Sequence, residues 1–269
     1  MPKISLAIAT YNEQDNIARC LNSVQGLVSE IVAVDGSSGD KTVDILKSFK
    51  AKVTVASNPL NFHINKNKAI DRCSGDWILQ LDADEVVTPE LKREILHIID
   101  QRPTTNDQRP INGFWLPRKN FFLGKFLKKG GQYPDYTLRL YRKGKGRLPA
   151  KSVHEQAEVL GKTANLKNPL LHYAYPDFSH YLEHFRLYTS FFAKELKEQN
   201  LPINIVTMVD YLLIKPCFWF AKTFIRHKGF YDGLPGFIFS FFSALRFPVA
   251  FIKYCLTLFT PRVNSSPGG

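Results

Sequence analysis

Residues 76–85 read DWILQLDADE, and this stretch decides the fold. Its first half, Trp77 to Leu81, is a short and mostly apolar run of the kind that forms a strand buried on both faces of a sheet. Asp82 and Asp84 follow where that strand is expected to end. Ligands of open parallel sheets bind beyond the carboxyl ends of the strands, so this pair is predicted to lie at a ligand site.

The sequence before this stretch alternates short apolar runs with helical patterns. Strands are predicted over 4–9, 30–35, 52–56 and 76–82, and helices over 16–24, 41–49 and 64–72. A fourth helix is predicted to be capped by Thr88 and to have Pro89 at its first position. This alternation indicates an α/β fold, with a mostly parallel, Rossmann-like sheet and flanking helices.

Two more strands of this sheet are followed by polar clusters. The first strand ends in TYNE, residues 10–13, and the second in DGSSGD, residues 35–40. Together with Asp82 and Asp84, these clusters are predicted to meet at one edge of the sheet. The DGSSGD loop lacks the glycine patterns GxGxxG and GxxxxGKS/T, which argues against a Rossmann dehydrogenase and a P-loop enzyme.

Asp82 and Asp84 also predict a metal. Carboxylate oxygens two residues apart, with no cysteine nearby, suit Mg²⁺ or Mn²⁺. A DxD pair also occurs in turns and helix caps, but its place after a buried strand, with Asp35 ending another strand, favours the metal. The four cysteines are scattered without a CxxC pair, so neither a zinc site nor a disulfide framework is indicated.

The chain is basic, with a net charge of +12, and the excess is concentrated in one window. Residues 118–151 hold eleven Lys and Arg side chains and one acid, Asp135. Such a window attracts the phosphates of a nucleotide, an anionic lipid or a nucleic acid; the alternative is an ordinary solvated basic face. Since the sequence has no DNA- or RNA-binding motif, a nucleic-acid partner is not expected.

The last part of the chain, residues 201–269, combines aromatic side chains with seven Lys and Arg against two acids. This composition is typical of helices that lie in the head-group region of an anionic membrane surface; a packing appendage or an oligomer interface is the alternative. The longest uncharged run, Gly233 to Leu245, is shorter than the roughly 20 residues of a membrane span. No membrane-spanning helix is therefore expected.

Several blocks of the sequence stand in an order that resembles a known family. They are ATYNE (9–13), VDGSSGDKT (34–42), KNKAI (66–70), LDADE (81–85), YPDYTLRL (133–140), VHE (153–155) and KGFYDGLPGF (228–237). Together they look like family 2 glycosyltransferases of the GT-A fold, and the later blocks resemble the bacterial branch that includes lipopolysaccharide-core glucosyltransferases. One departure is visible. The family's second motif usually reads Asp-Ser-Gly-Ser or Asp-Asp-Gly-Ser, whereas Gly36 and Ser37 stand here in the opposite order.

The resemblance implies an inverting, metal-dependent transfer of a sugar from a nucleotide sugar, with a UDP-sugar favoured, to a hydroxyl of a lipid-linked or lipopolysaccharide-core-type acceptor. With the basic, aromatic tail it indicates a cytoplasmic enzyme held peripherally on the inner face of the cell membrane. The residues predicted to bind the nucleotide sugar are Thr10, Tyr11, Glu13, Asp35, Lys66, Asp82 and Asp84. The residues predicted to bind the metal are Asp84, Asp82 and His154.

An inverting displacement also needs a general base that takes the proton of the acceptor. Asp135 stands where the resemblance places this base, and Glu155 is the second candidate. The alternative role of Asp135 is to neutralise the basic surface around it. His154 is either a metal or phosphate ligand or an ordinary hydrogen-bonded histidine. Three further histidines are expected to be structural: His172, His180 and His184.

The predicted organisation has three parts. Residues 1–112 form the nucleotide-sugar half of the GT-A domain, residues 113–200 form the acceptor half, and residues 201–269 form a helical, membrane-associating tail. Two other functions remain open at this point. One is a nucleotidyl or phosphosugar transferase that uses the same aspartates, and the other is a catalytically inactive scaffold bound to the membrane.

Overall fold

The structure is a computed structural model that describes residues 2–100, 110–149, 156–175 and 177–259. Its contacts divide the chain into two compact units. The first unit comprises Met1–Asn120 and Pro134–Ala174, and the second comprises Phe121–Tyr133 and Tyr175–Gly269. The second unit therefore takes in one internal segment as well as the C-terminal part of the chain.

The first unit is built around a mixed sheet whose parallel part follows the predicted order. These strands are β1 (Ile4–Thr10), β2 (Glu30–Asp35), β3 (Lys52–Val55) and β4 (Trp77–Leu81). The flanking helices are α1 (Ile17–Ser23), α2 (Thr42–Ser48), α3 (His63–Arg72) and α4 (Pro89–Asp100). The predicted α/β fold class is confirmed, and each predicted element is found at or close to its predicted place.

Further strands follow β4 along the chain. They are β5 (Glu85–Val87), β6 (Ile111–Phe122), β7 (Lys125–Phe126), β8 (Asp135–Arg142), β9 (Gly146–Arg147), β10 (Glu158–Val159), β11 (Lys162–Asn165) and β12 (Leu170–Tyr175). The sheet has the order β3-β2-β1-β4-β8-β6-β12-β5, with β8 antiparallel to β4. Strand β12 runs antiparallel to β5, and this pairing places His172 opposite Glu85.

Apolar side chains explain why this sheet is covered on both faces. All five residues of β4 are buried, as are most residues of β1 and β2. Helix α4 buries Leu91, Ile95 and Ile99, which share one face of the helix. Thr88 caps this helix as predicted, because its hydroxyl oxygen accepts a hydrogen bond from the Leu91 amide at 3.2 Å.

The second unit is mainly helical. Its elements are α5 (Phe178–Glu198), α6 (Ile205–Val209), a π-helical segment (Asp210–Ile214), α7 (Lys215–Phe220), a second π-helical segment (Ala221–Arg226), a 3₁₀ turn (Gly229–Asp232) and α8 (Leu234–Phe259). The aromatic side chains of α5 are packed only in part. Tyr181 and Phe185 contact the ring of Phe242 in α8, whereas Tyr188 is about half exposed.

Helix α8 corrects the expectation that no helix is long enough to span a membrane. Within the described residues, Leu234–Leu258 is one stretch of 25 residues that suffices for a span by length and composition. The charged residues of α8 do not interrupt the helix, and each has a partner. The Arg246 guanidinium lies 4.4 Å from the Trp219 ring centroid, and Lys253 Nζ donates to Thr189 Oγ1 at 2.8 Å. Because α8 also packs against α5, its length alone does not assign it to a membrane.

Candidate active site

The carboxyl ends of β1 and β2 are joined by hydrogen bonds. Thr10 Oγ1 donates to Asp35 Oδ1 at 2.9 Å, and both side chains are buried. The Ser38 amide donates to Asp35 Oδ2 at 2.8 Å, and the Asn12 amide donates to Ser38 Oγ at 2.8 Å. The Gly39 amide in turn donates to Asn12 Oδ1 at 2.9 Å. The two loops therefore hold each other and fix the carboxylate of Asp35.

Two residues predicted to bind the nucleotide sugar lie in the first of these loops. Tyr11 is 49% exposed, so its ring is accessible to a planar ligand. Burial raises the pKa of Glu13, and the negative charges of Asp84 and Asp82 raise it further, while a hydrogen bond from Asn16 lowers it. Asp84 and Asp82 are therefore near enough to repel the carboxylate of Glu13, and a bound cation would relieve this repulsion.

Asp82 is held between two cations. Its Oδ1 forms an ion pair with Lys66 of α3, and its Oδ2 accepts a hydrogen bond from Arg139 Nη2 at 2.6 Å. Burial alone would raise the pKa of Asp82, but Arg139 and Lys66 outweigh it and hold this pKa well below its usual range. Because cations engage both oxygens, the metal role predicted for Asp82 is not supported by this arrangement.

Glu85 is the buried centre of this network. Its side chain has no exposed surface, and its Oε1 accepts from Arg139 Nη2 at 2.8 Å and lies 3.7 Å from Arg118 Nη1. Its Oε2 accepts from the Asp82 amide at 2.9 Å. Arg118 donates to Asp135 Oδ2 from Nη2 at 2.7 Å and from Nε at 3.0 Å. A chain of contacts thus runs from Asp82 through Arg139, Glu85 and Arg118 to Asp135.

A second chain of contacts links Asp84 to Asp135. His172 Nε2 lies 3.2 Å from Asp84 Oδ2, and His172 Nδ1 lies 2.7 Å from Asn120 Oδ1. Asn120 Nδ2 donates to Asp135 Oδ2 at 3.4 Å. With Asn120 Oδ1 as its acceptor, Nδ1 of His172 carries a proton, and Nε2 faces the Asp84 carboxylate. The two chains of contacts meet at Asp135, and their other ends, Asp82 and Asp84, are joined by the backbone through Ala83, so that together they close a ring.

Asp84 and His172 are the part of this ring that suits a divalent ion. An imidazole nitrogen and a carboxylate oxygen that face each other are stabilised when a proton or a metal ion lies between them, and Asn120 orients the imidazole from behind. Within the described residues no group of three or more His, Cys, Asp and Glu side chains could hold a metal. Phosphate oxygens and water would therefore complete the coordination.

His172 is the site residue that sequence reasoning missed. It was expected to be structural, and its place beside Asp84 depends on the antiparallel pairing of β12 with β5. The apolar and aromatic neighbours of His172 give no local sign of that pairing. The other predicted metal ligand, His154, and the second candidate base, Glu155, lie outside the described residues.

Asp135 keeps one oxygen accessible to a substrate. The hydrogen bonds from Arg118 and Asn120 all go to Oδ2, and none from the described residues goes to Oδ1. The side chain is 35% exposed. A carboxylate that is fixed through one oxygen and open at the other is suited to accept a proton from a bound hydroxyl.

The sequence of this chain matches the family model of glycosyl transferase family 2 over residues 5–154, which is more than half of the chain. A glycosyltransferase of Rickettsia felis is 30% identical over 250 residues, covering 88% of this chain and 84% of the relative. One of Rickettsia bellii is 30% identical over 248 residues, covering 88% and 80%. The chain therefore belongs to glycosyltransferase family 2. It is a glycosyltransferase that takes its sugar from a nucleotide-sugar donor.

Two solved structures are similar to this chain at low sequence identity. TarS from S. aureus in complex with UDP-GlcNAc is 16% identical, with 94% of this chain and 88% of TarS covered and a TM-score of 0.47. Glucosyl-3-phosphoglycerate synthase from Mycobacterium tuberculosis, in complex with Mn²⁺, UDP and glucosyl-3-phosphoglycerate, is 14% identical, with 76% and 82% covered and a TM-score of 0.44. At these TM-scores the assignment rests on the family match and on the site of this chain.

Proposed function

We propose that this chain is an inverting, metal-dependent glycosyltransferase that moves a sugar to a hydroxyl of a lipid-linked or lipopolysaccharide-core-type acceptor. The observation that carries the proposal is the ring of contacts that joins Asp82 and Asp84 to Asp135. An inverting displacement needs the donor and the general base in a fixed relative position. Two chains of ion pairs and hydrogen bonds that run from the DxD pair to Asp135 meet this need.

The nucleotide is proposed to bind at the loops after β1 and β2. Tyr11 offers an accessible ring for stacking on the base, and a UDP-sugar is the favoured donor. Asp35, held by Thr10 and Ser38, presents a fixed carboxylate near the base or the ribose. Lys66 lies beside Asp82 at the same edge of the sheet.

The divalent ion is proposed to bind to Asp84 and His172. When bound, it would neutralise the charge that develops on the leaving diphosphate. Mg²⁺ binds through oxygen ligands, so an imidazole in the ligand set favours Mn²⁺. Asn120 orients His172 toward this position, and the charge of Asp84 also acts on Glu13.

Asp135 is proposed to be the general base. Its Oδ1 takes the proton of the acceptor hydroxyl while that oxygen attacks the anomeric carbon and the bond from this carbon to the nucleoside diphosphate breaks. Attack opposite the leaving group inverts the anomeric configuration. Arg118 and Asn120 bind Oδ2 and keep the carboxylate in place during the transfer.

The variant Asp135→Asn tests the base. It is nearly isosteric and removes the proton acceptor, so UDP affinity in the presence of Mn²⁺ should persist while transfer falls by ~10² or more. Calorimetric titration with UDP and product formation from a panel of UDP-sugars measure the two quantities. Asp71→Asn, an exposed acid of the same unit, is the matched control. Transfer near the wild-type rate would move the base role to Glu155, and loss of UDP binding would make Asp135 a donor ligand.

A further inference from the structure

The block KGFYDGLPGF, residues 228–237, has no role in the proposed mechanism, yet its acid is buried. Asp232 is 3% exposed. Its carboxylate accepts hydrogen bonds from the backbone amides of Lys128 at 3.0 Å and Lys129 at 2.8 Å, and its carbonyl oxygen accepts from Lys125 Nζ at 3.2 Å. Asp232 thus ties the segment after β7 to the C-terminal part of the same unit.

The backbone of this region is closely packed. The Gly130 amide donates to the carbonyl oxygen of His227 at 2.9 Å. A Cβ atom on Gly236 would overlap the carbonyl oxygen of Gly229, so only glycine permits this approach. Lys228 adopts a left-handed φ of 58°, which is unfavourable for a residue with a side chain. The hydrogen bond and the close glycine approach therefore hold the two segments together.

This conformation presents cations beside apolar side chains. Tyr231 is 65% exposed and Leu234 is 70% exposed, although both carry large apolar groups. Three exposed cations lie on the same two segments, and a fourth, Arg226, lies just before the second segment. We call the following set the basic–aromatic surface: Lys128, Lys129, Arg226, Lys228, Tyr231 and Leu234.

Within the described residues, none of the four cations of this surface forms an ion pair with an acid. Outside residues 177–198, the acids that the structure describes in the second unit are Asp210 and Asp232. Asp210 is paired with Lys215 Nζ at 2.8 Å, and Asp232 is buried with its oxygens hydrogen-bonded. The positive charge therefore remains available to an anionic partner.

We propose that the basic–aromatic surface docks the protein in the plane of an anionic lipid bilayer, with Asp232 as the residue that positions it. Tyr231 and Leu234 enter the head-group boundary, while the long stems of the lysines and of Arg226 carry charge to the lipid phosphates. A bilayer is favoured because the same surface offers apolar groups and cations together. The inference rests on the proposed function in one respect, since a lipid-linked acceptor is met at a membrane.

Sedimentation of the full chain with vesicles tests the docking. Vesicles of phosphatidylcholine alone should leave the protein in the supernatant, and vesicles that also contain phosphatidylglycerol should sediment it. High salt should release part of the protein, and alkaline carbonate should release all of it, as expected for an in-plane contact. Retention in carbonate would show that α8 spans the bilayer and would overturn in-plane docking.

Two pairs of substitutions locate the surface. In Lys128→Ala with Lys129→Ala, each lysine removed should weaken binding to the anionic vesicles by about fivefold, which corresponds to ~1 kcal/mol. The matched control is Lys143→Ala with Lys145→Ala, which removes the same charge from exposed positions of the first unit. Tyr231→Ser with Leu234→Ser should remove the binding that persists in salt. Equal losses in both lysine pairs would mean general attraction and would overturn the assignment.

Asp232→Ala separates positioning from charge. This variant is more positive, so simple electrostatics predicts tighter binding, whereas loss of the two amide contacts of Asp232 predicts weaker binding. Thermal unfolding checks that the fold is kept. Tighter binding, or a stable oligomer that Tyr231→Ser with Leu234→Ser converts to a monomer, would overturn the proposal. UDP titration of the same variants should be unchanged, and failure of the wild-type chain to bind UDP would count against the proposed function alone.

Discussion

The two units differ in whether their cations are paired with acids. In the first unit Arg118, Arg139 and Lys66 are each paired with a carboxylate around the buried Glu85. In the second unit exposed cations stand beside apolar side chains, and twenty of the twenty-seven exposed large apolar side chains of the described residues lie there. A group-transfer reaction needs fixed distances between its reacting groups, and buried ion pairs enforce such distances. Contact with a lipid bilayer needs only cations and apolar side chains that are exposed.

The cations of the basic window, residues 118–151, fall into the same two groups, paired and exposed. In the sequence, these cations form one basic window, which predicts a single patch that attracts phosphates. In the structure Arg118 and Arg139 neutralise acids of the first unit, whereas Lys128 and Lys129 are exposed in the second. A single run of positive charge in the sequence is therefore divided between paired cations in the first unit and exposed cations in the second.

The largest expected effect comes from Glu85→Ala. Removing this carboxylate leaves Arg139 and Arg118 without their shared buried partner, and such a loss costs about 3–5 kcal/mol in the free energy of unfolding. Urea denaturation measures it. The matched control is Asp71→Ala, which breaks the exposed pair with Arg147 and should cost at most ~1 kcal/mol. Equal losses in the two variants would contradict the contrast between buried and exposed pairs.

The parallel part of the fold and the place of the site could be predicted from the sequence because both depend on local patterns. Apolar runs of strand length predict β1 to β4, and polar residues directly after three of these runs predict the edge where ligands bind. Thr88 and Pro89 likewise mark the start of α4 within a few residues. These features require no knowledge of distant partners.

The partners of the site residues could not be predicted, because they come from strands far away in sequence. His172 reaches Asp84 through the pairing of β12 with β5, and Asp135 lies next to Arg118 through the pairing of β8 with β6. Lys66 and Arg139 compete with a metal for Asp82, which the DxD pattern alone does not reveal. Antiparallel pairings of this kind leave weak local signals.

The next effect concerns the metal. Asp84→Ala should remove the dependence of UDP affinity on Mn²⁺, a loss of at least ~10-fold, with little change in unfolding, because Asp84 is partly exposed at the edge of the sheet. Calorimetric titration of UDP with and without Mn²⁺ measures it. His172→Ala should act in the same direction, and His180→Ala in the second unit should not. If both variants of the first unit keep the full Mn²⁺ dependence, the ligand assignment is wrong.

A smaller effect is expected on the pH dependence of stability. The pKa of Glu13 is raised in the folded protein, so the folded state binds this proton more tightly than the unfolded state does. Stability should therefore fall as the pH rises from about 4.5 through the raised pKa, and Glu13→Gln should remove that fall. Unfolding temperatures of both proteins without divalent ions, measured at several pH values, test this. Parallel curves would show that folding does not raise the pKa of Glu13.

The smallest effect concerns the loop after β2, where Gly36 and Ser37 are exchanged relative to the family motif. Ser37 has a positive φ of 65°, which favours glycine, so Ser37→Gly should raise the free energy of unfolding. The increase should stay below ~1 kcal/mol, because the variant loses the hydrogen bond from the Ser37 hydroxyl to the Ala56 carbonyl at 2.9 Å.

The order that is usual in the family, with Gly second, should not suit residues 36 and 37 of this chain. A Cβ atom at Gly36 would meet Asn58 Cβ and Oδ1 at 3.1 Å, so adding Gly36→Ser to Ser37→Gly should cost ~1 kcal/mol or more. Asn58→Gly should restore part of that loss, which denaturation of the three variants would show. UDP affinity should stay unchanged in all of them, because Asp35 is held by Thr10 and Ser38 rather than by the exchanged residues. If Asn58→Gly restores nothing, the close contact with Asn58 is not the reason for the exchanged order.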